Sequence, residues 1–460
     1  MLWQTSPAIS GGVTVRPILL AGVLGAISLA AAPNSQTVTF NKDVLPILQK
    51  NCQTCHRPGE VAPMSLVTYQ DARPWAKAIK AAVATRKMPP WFAEPGYRKI
   101  ANEWKLSNAE IETVVSWADN GAIEGNAKDA PAPISFPDGW KIKPDVVVEM
   151  PKPFKLPATG TINYKYILVK TNFPQDMWIQ AAEMRPGNPK VLHHGKVWVR
   201  PPGSDWMKNA VPGEAYEGET QREIMGRNEP GEGNDILGKF NPGLGAQSFD
   251  VEGAAKFVPK GSDLVFELHY TAMGQATTDV SKLGLVLAKQ APTQRYFLTA
   301  SPASQNLVIP PGDPNAEVVG ESTIGADVKL AYVQPHMHLR GKDYELRVIY
   351  PTGESETVFR GKFDFNWQQG FTFEKPLTLP KGTRLVGIAH FDNSPNNPFN
   401  PDPTKEVRWG PQNWDEMSGP FIGLIFDVKT PPETLLKRSG PSLLRAVAGQ
   451  GGPTLATLTK

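Results

Sequence analysis

Cysteine is nearly absent from this chain of 460 residues: Cys52 and Cys55 are the only two. That excludes a scaffold held by a disulfide framework. Excess charge is absent as well. The formal net charge is +3 and no block of Lys or Arg stands out, so there is no electrostatic footprint for nucleic acid or a strongly anionic surface. Histidine is scarce, with seven in all. Beyond Ala32 no apolar run approaches the roughly 20 residues of a bilayer-spanning helix. What the chain does have is 41 glycines and 45 prolines, a surplus of turn formers that points to mostly β architecture with few long helices. Its length exceeds one ordinary core, which predicts two or three domains.

At the N-terminus one arginine, Arg16, precedes an apolar run from Pro17 to Ala32 that ends in small residues. This is the layout of a secretory signal peptide over residues 1–32, and it predicts export with no membrane span after cleavage.

The two cysteines stand in "NCQTCHRPG". The pattern C-x-x-C-H is the attachment signal of c-type haem: Cys52 and Cys55 supply the thioethers and His56 the axial ligand. A thioredoxin-like redox pair would leave the following histidine unexplained. For the other face of the iron the sequence offers Met88, its direction fixed by the two prolines after it in "TRKMPPWF", with Met64 or an open site as the alternatives. The surrounding text is helical in pattern. The segment "LSNAEIETVVSWADNGA" pairs a serine cap, Ser107, with Glu110 three residues on, places Ile111, Val114, Val115 and Ala118 on one face, and stops at Gly121. Residues 33–128 are therefore expected to form a small all-α cytochrome c-like domain.

A proline-rich linker is expected over residues 129–152. Beyond it, short β-branched and aromatic segments bounded by Gly, Pro and Asn predict two antiparallel β-sandwiches in series, jelly-roll-like, over residues 153–300 and 301–430. Within the first of these bounds residues 201–245, rich in Gly, Glu and Asn, read as a long loop, and residues 431–460 as a disordered tail.

The histidines are not scattered. In "QPHMHLRG" the alternation of a strand would project His336 and His338 to one face, where they could share a metal ion. His193 and His194 are neighbours, so both reach one ion only if the strand ends or bulges there, which Gly195 makes inexpensive. His269 in "FELHYTAMG" is the natural third ligand from another strand. Three imidazoles suit zinc and copper equally; two imidazoles with room for a soft thioether favour copper. His390 reads as a core residue or a hydrogen-bonding partner, not a ligand.

The order "HHG", "ELHY", "QPHMHLRG", "GPQNWDEMSGPF" over roughly residues 150–428 resembles the copper type II, ascorbate-dependent monooxygenases, the family of peptidylglycine alpha-hydroxylating and dopamine beta-monooxygenases. The haem-like segment resembles domains fused to bacterial members, which implies the bacterial periplasm. By this resemblance His193, His194 and His269 hold one copper ion, and His336, His338 and Met417 hold a second where O2 binds. The two sites would be separated by solvent. The resemblance implies hydroxylation of a C–H bond of a small substrate, with electrons from ascorbate or a redox protein and the fused haem as a relay. The sequence departs from the animal enzymes in having no further cysteines, so its sandwiches must hold by packing. It departs again at Gln334, where the peptide-amidating enzyme carries a carboxylate-binding arginine. Two other readings are an electron-transfer protein that binds copper and haem without hydroxylating, and a zinc hydrolase in which Met417 is only core.

Overall fold

The computed structural model describes residues 37–438, apart from 61, 137, 138, 218–234, 242, 243, 305 and 411. The expected signal peptide lies outside the described residues. The described residues from Val38 on group into one compact unit. They are mostly β, and no helix among them is long and apolar enough to cross a membrane.

The helices cluster where the sequence places them: Leu45–Asn51, Ala76–Ala84 and Asn108–Asp119. The last begins with the expected reciprocal cap, Ser107 Oγ accepting from Glu110 N at 3.2 Å and Glu110 Oε2 from Ser107 N at 2.7 Å. Its buried face is centred on Val114 and Trp117, with Ile111, Val115 and Ala118 at the margin. The indole N–H of Trp117 donates to Ile123 O at 3.0 Å, which satisfies its one polar atom inside the core.

One nine-stranded sheet runs through the β region in the order Val146–Glu149, Lys282–Leu287, Met177–Arg185, Ala254–Val258, Gln294–Ala300, Phe421–Asp427, Val328–Gln334, Phe371–Leu379, with Gln247–Ser248 pairing off this path. Two five-stranded sheets face it. One is Ala215–Tyr216, Lys165–Val169, Asp263–Tyr270, Leu192–Arg200, Ile236–Phe240; the other is Ser355–Lys362, Gly341–Ile349, Arg384–Phe391, Ala316–Ile324, Leu436–Arg438. Each facing pair encloses its own core. Ile179, Ala182 and Leu285 meet Val197, Leu264 and Phe266 in the first; Leu330, Leu424 and Phe373 meet Tyr344, Leu346 and Leu385 in the second.

Four expectations are corrected. The sandwiches are not independent modules in series, because Gln294–Ala300 pairs on one side with Ala254–Val258 and on the other with Phe421–Asp427, making one sheet common to both. The linker expected over 129–152 contributes a strand, Val146–Glu149, that pairs with Lys282–Leu287. The tail expected to be disordered begins with Leu436–Arg438 paired to Ala316–Ile324. The long loop also carries strand Ile236–Phe240, paired to Leu192–Arg200.

The stretch between helices Ala76–Ala84 and Asn108–Asp119 also packs differently from a self-contained domain. Ala93 bridges to Gly361 and Ile100 to Phe373, while Arg98 forks onto the Glu356 carboxylate at 2.7 and 2.9 Å. Asn102 closes the series, donating to Gly370 O at 2.8 Å and accepting from Thr372 N at 2.9 Å. These contacts cover unpaired strand edges of the second sandwich, groups that otherwise invite pairing with another chain.

Candidate metal centre

The first histidine cluster grows out of a break in a strand ladder. Leu192–Arg200 pairs with Asp263–Tyr270 so that His194 lies opposite His269, but the next pair is Leu192 with Tyr270. His193 is thus the extra residue of a bulge, as adjacency of two histidines requires if both are to face one point. The ligand atoms of His193, His194 and His269 all lie within 4.8 Å of one another. His193 Nδ1 and His194 Nδ1 are 3.0 Å apart.

Neighbouring side chains fix how these rings stand. Tyr164 places its hydroxyl 2.7 Å from His194 Nε2 and stacks on His269 with centroids 4.5 Å apart and planes 11° from parallel. Phe365 stacks on His193 at 4.6 Å. With Nε2 of His194 engaged, its Nδ1 is the nitrogen turned to the cluster. His269 Nδ1 is buried and has no hydrogen-bond partner, as is His193 Nε2. Burial holds His193 down to about 4 and His269 to about 3, and pushes His194 well below the usual imidazole range, with the other rings adding to the effect. All three are neutral at pH 7, the form that ligates metals.

The second cluster lies just past the ends of strands. Val328–Gln334 stops two residues short of His336. The alternation expected of a strand nevertheless persists: Met337 is fully buried in the second core, and His336 and His338 turn the other way with ring centroids 5.4 Å apart. Pairing also continues beyond the matched residues Gln334 and Phe421, since Gly419 N donates to His336 O at 3.3 Å. Carried two residues further, that register sets Met417 opposite His338, although none of the described contacts joins its sulfur to either ring. His336 Nδ1 is 2.6 Å from Gln368 Oε1 and His338 Nδ1 is 3.4 Å from Asp415 O, so both rings donate from Nδ1 and present Nε2. His338 Nε2 is buried without a partner. Burial depresses His338 to about 4 and His336 well below the usual range.

Glu416 holds this segment together. Fully buried, its carboxylate accepts from Arg340 N at 2.6 Å, His338 N at 2.8 Å and Met417 N at 3.4 Å. Burial pushes it up to about 8, with those N–H donors and Arg340 pulling the other way. Arg340 in turn donates from Nη1 to Trp414 O at 2.9 Å.

The clusters are adjacent, which corrects the expectation of two sites divided by solvent. The rings of His194 and His336 approach to 6.2 Å between centroids, edge to face. Asn413, on the loop that carries Met417, sits 3.5 Å from His269 Nε2. A cavity of about 430 Å³ opens beside His269, bordered by Asn413 and Trp414.

Tyr164, Phe365, Gln368, Asn413 and Glu416 were not singled out in the sequence. Only Glu416 carried a hint, as a carboxylate next to Met417 in a stretch otherwise tied to the histidines. His390 lies apart from the clusters, between Asp343 at 2.6 Å and Glu317 at 3.6 Å.

Around the C-x-x-C-H motif, Cys52 caps helix Leu45–Asn51, and the N–H groups of Cys55 and His56 both turn back to Cys52 O. His56 Nδ1 is 3.2 Å from Met64 O, which leaves Nε2 free to act as a ligand. Burial pushes the Cys52 thiol up to about 12 and raises Cys55 as well. Met88 follows helix Ala76–Ala84 with its N–H on Ala82 O; among the described contacts none joins it to His56 or to either cysteine. The cysteines and His56 share one turn, but the geometry by itself does not make this a haem site.

No protein-family model and no curated protein matches the chain. Among solved structures, the infectious bursal disease virus Gx strain overlaps 66% of this chain and 78% of that one at 10% identity and a TM-score of 0.17. A structure of PNGF-II overlaps 61% and 64% at 9% identity and a TM-score of 0.24. Similarity this low carries no argument.

Proposed function

We propose that this chain is a copper-dependent monooxygenase that hydroxylates a C–H bond of a small substrate with O2. The observation that carries the reading is the pair of buried imidazole clusters, each containing a ring nitrogen with no hydrogen-bond partner. A buried polar atom without a partner costs roughly 1–3 kcal/mol, which a coordinated ion would offset. His193, His194 and His269 would hold one copper ion and His336, His338 and Met417 the other; a thioether in the second set favours copper over zinc. Bound copper would supply one-electron redox chemistry and activation of O2.

The protein's own groups prepare that chemistry. Tyr164 orients His194 and His269, Gln368 and Asp415 O fix the tautomers of His336 and His338, and Glu416 ties the backbone of His338 to that of Met417. The cavity beside His269 would give a substrate access to the edge of the first cluster. One oxygen atom enters the C–H bond and the other leaves as water, which consumes two electrons and two protons from a donor. A c-type haem attached to Cys52 and Cys55, with His56 and Met88 as axial ligands, would be one such donor, and its support is the motif itself. Ascorbate or a redox protein is the external source. A periplasmic location follows from the same motif and the N-terminal segment.

The ring contact between His194 and His336 favours a second reading, in which the centres exchange electrons without hydroxylating. Turnover with isotopically labelled O2, ascorbate and a panel of small C–H substrates separates the two. Labelled hydroxylated product, lost in Met417→Ala, supports the monooxygenase. Metal-dependent electron transfer with no labelled product supports the second reading.

A further inference from the structure

The cavity of about 430 Å³ beside His269 falls in the size range of small-molecule sites, roughly 300–1,000 Å³. Its wall residues come from the stretches 158–162, 269–274 and 412–414. None of the described residues lining it is an aspartate, glutamate, lysine or arginine. Its two titratable side chains are neutral at pH 7. Burial holds His269 down to about 3, and the Tyr270 hydroxyl donates to Asp279 Oδ2 at 2.8 Å, a buried residue outside the cavity.

What the wall does offer is polar, uncharged and open to solvent. Thr159, Thr161 and Thr271 are exposed and Gln412 is half-buried. None of these four side chains makes a described hydrogen bond, and none is among the buried atoms left unpaired, so their hydroxyls and amide reach solvent. Beside them Trp414 is 47% exposed, with its backbone O held by Arg340 Nη1 at 2.9 Å. Asn413, between Gln412 and Trp414, ties this wall to the first cluster through its contact with His269 Nε2.

A charged ligand would lose hydration here without meeting a counter-charge, and a wholly apolar one would strip water from the hydroxyls and the amide. A sugar ring avoids both costs. Its C–H face stacks on an indole, and its hydroxyls both donate and accept, as threonine and glutamine side chains do. We propose that this cavity binds a neutral sugar unit, its ring on Trp414 and its hydroxyls on Gln412 and the three threonines. Binding needs no metal. That the bound sugar is the substrate of the clusters rests on their reading as copper centres.

The test exposes the full, metal-stripped chain to an array of immobilised glycans, neutral ones beside sialylated and uronic acid-bearing ones. Binding to neutral glycans is expected, unchanged by added salt because no ion pair contributes. Calorimetry with the best-bound neutral glycan should show affinity lower by about 10-fold or more in Trp414→Ala and largely kept in Trp414→Phe. Trp414 is exposed, so neither change threatens the fold. Thr161→Trp, also at an exposed position, should block binding with Trp414 intact. No glycan bound, a preference for charged glycans, or undiminished affinity in Trp414→Ala or Thr161→Trp would overturn the proposal. Glycan binding without labelled hydroxylated sugar, once copper and ascorbate are supplied, would support the sugar site and contradict the copper reading. Turnover of another substrate with no glycan bound would do the reverse.

Discussion

The two histidine clusters are built from the same ring type in opposite ways. His194 and His269 face each other across a hydrogen-bonded strand pair, and a single bulge turns His193 to join them. His336, His338 and Met417 lie beyond the strand ends, on two extended segments fastened by one buried carboxylate, Glu416. The first geometry is a by-product of the sheet ladder and is as rigid as the core beneath it. The second depends on a small number of polar contacts, so it has more ways to be loosened and more freedom to adapt to a ligand.

That contrast can be broken most severely at Glu416. Glu416→Ala leaves buried backbone N–H groups without an acceptor and should cost about 3 kcal/mol or more in chemical denaturation. It should also abolish metal binding at the second cluster while leaving the first. Equal loss at both clusters would mean that the carboxylate supports the whole interface and not one segment.

His194→Ala comes next. Its ring belongs to the first cluster yet touches His336, so the substitution should remove the first metal and weaken the second by a measurable factor in competition titrations with a chelator. His390→Ala, whose ring sits between Asp343 and Glu317 with no described contact to either cluster, should leave both affinities unchanged.

Acid should act on the clusters together. His193 and His338 are depressed to about 4 by burial, so each is less readily protonated in the folded chain than in the unfolded one. The resulting stability is fully present above the ordinary imidazole value of roughly 6.5 and is lost as pH falls from there toward about 4. Denaturation midpoints of the metal-free protein should therefore drop between about pH 6.5 and about pH 4, and His193→Gln should flatten part of that slope. A pH-independent midpoint would mean that the rings are not buried in solution.

The smallest expected effect is at Tyr164. Tyr164→Phe keeps the stacking on His269 and deletes one buried hydrogen bond to His194, a loss of about 1 kcal/mol with a modest fall in first-site affinity. Titration of the variant with metal would show whether hydrogen bonding or stacking sets the ring orientation.

Local pattern carried some of this architecture and not the rest. The cap at Ser107, the bulge at His193 and the common face of His336 and His338 follow from spacings of one to four residues, where backbone geometry alone dictates side-chain direction. The sheet common to both sandwiches does not, because which strand lies beside Gln294–Ala300 is settled by long-range packing that no local period records. Val146–Glu149 was hidden by prolines on either side of it, and Tyr164 and Gln368 reach the histidines from irregular segments with no motif of their own. Glu416 was hidden for a further reason: a charged residue in a Gly- and Asn-containing segment reads as solvent-exposed until the fold closes over it.

The most direct test of the central claim is elemental analysis of the purified protein, repeated on His193→Ala and Met417→Ala. The account predicts two copper ions per chain, with one lost in each variant. Zinc in place of copper, or a metal content indifferent to both substitutions, would contradict it.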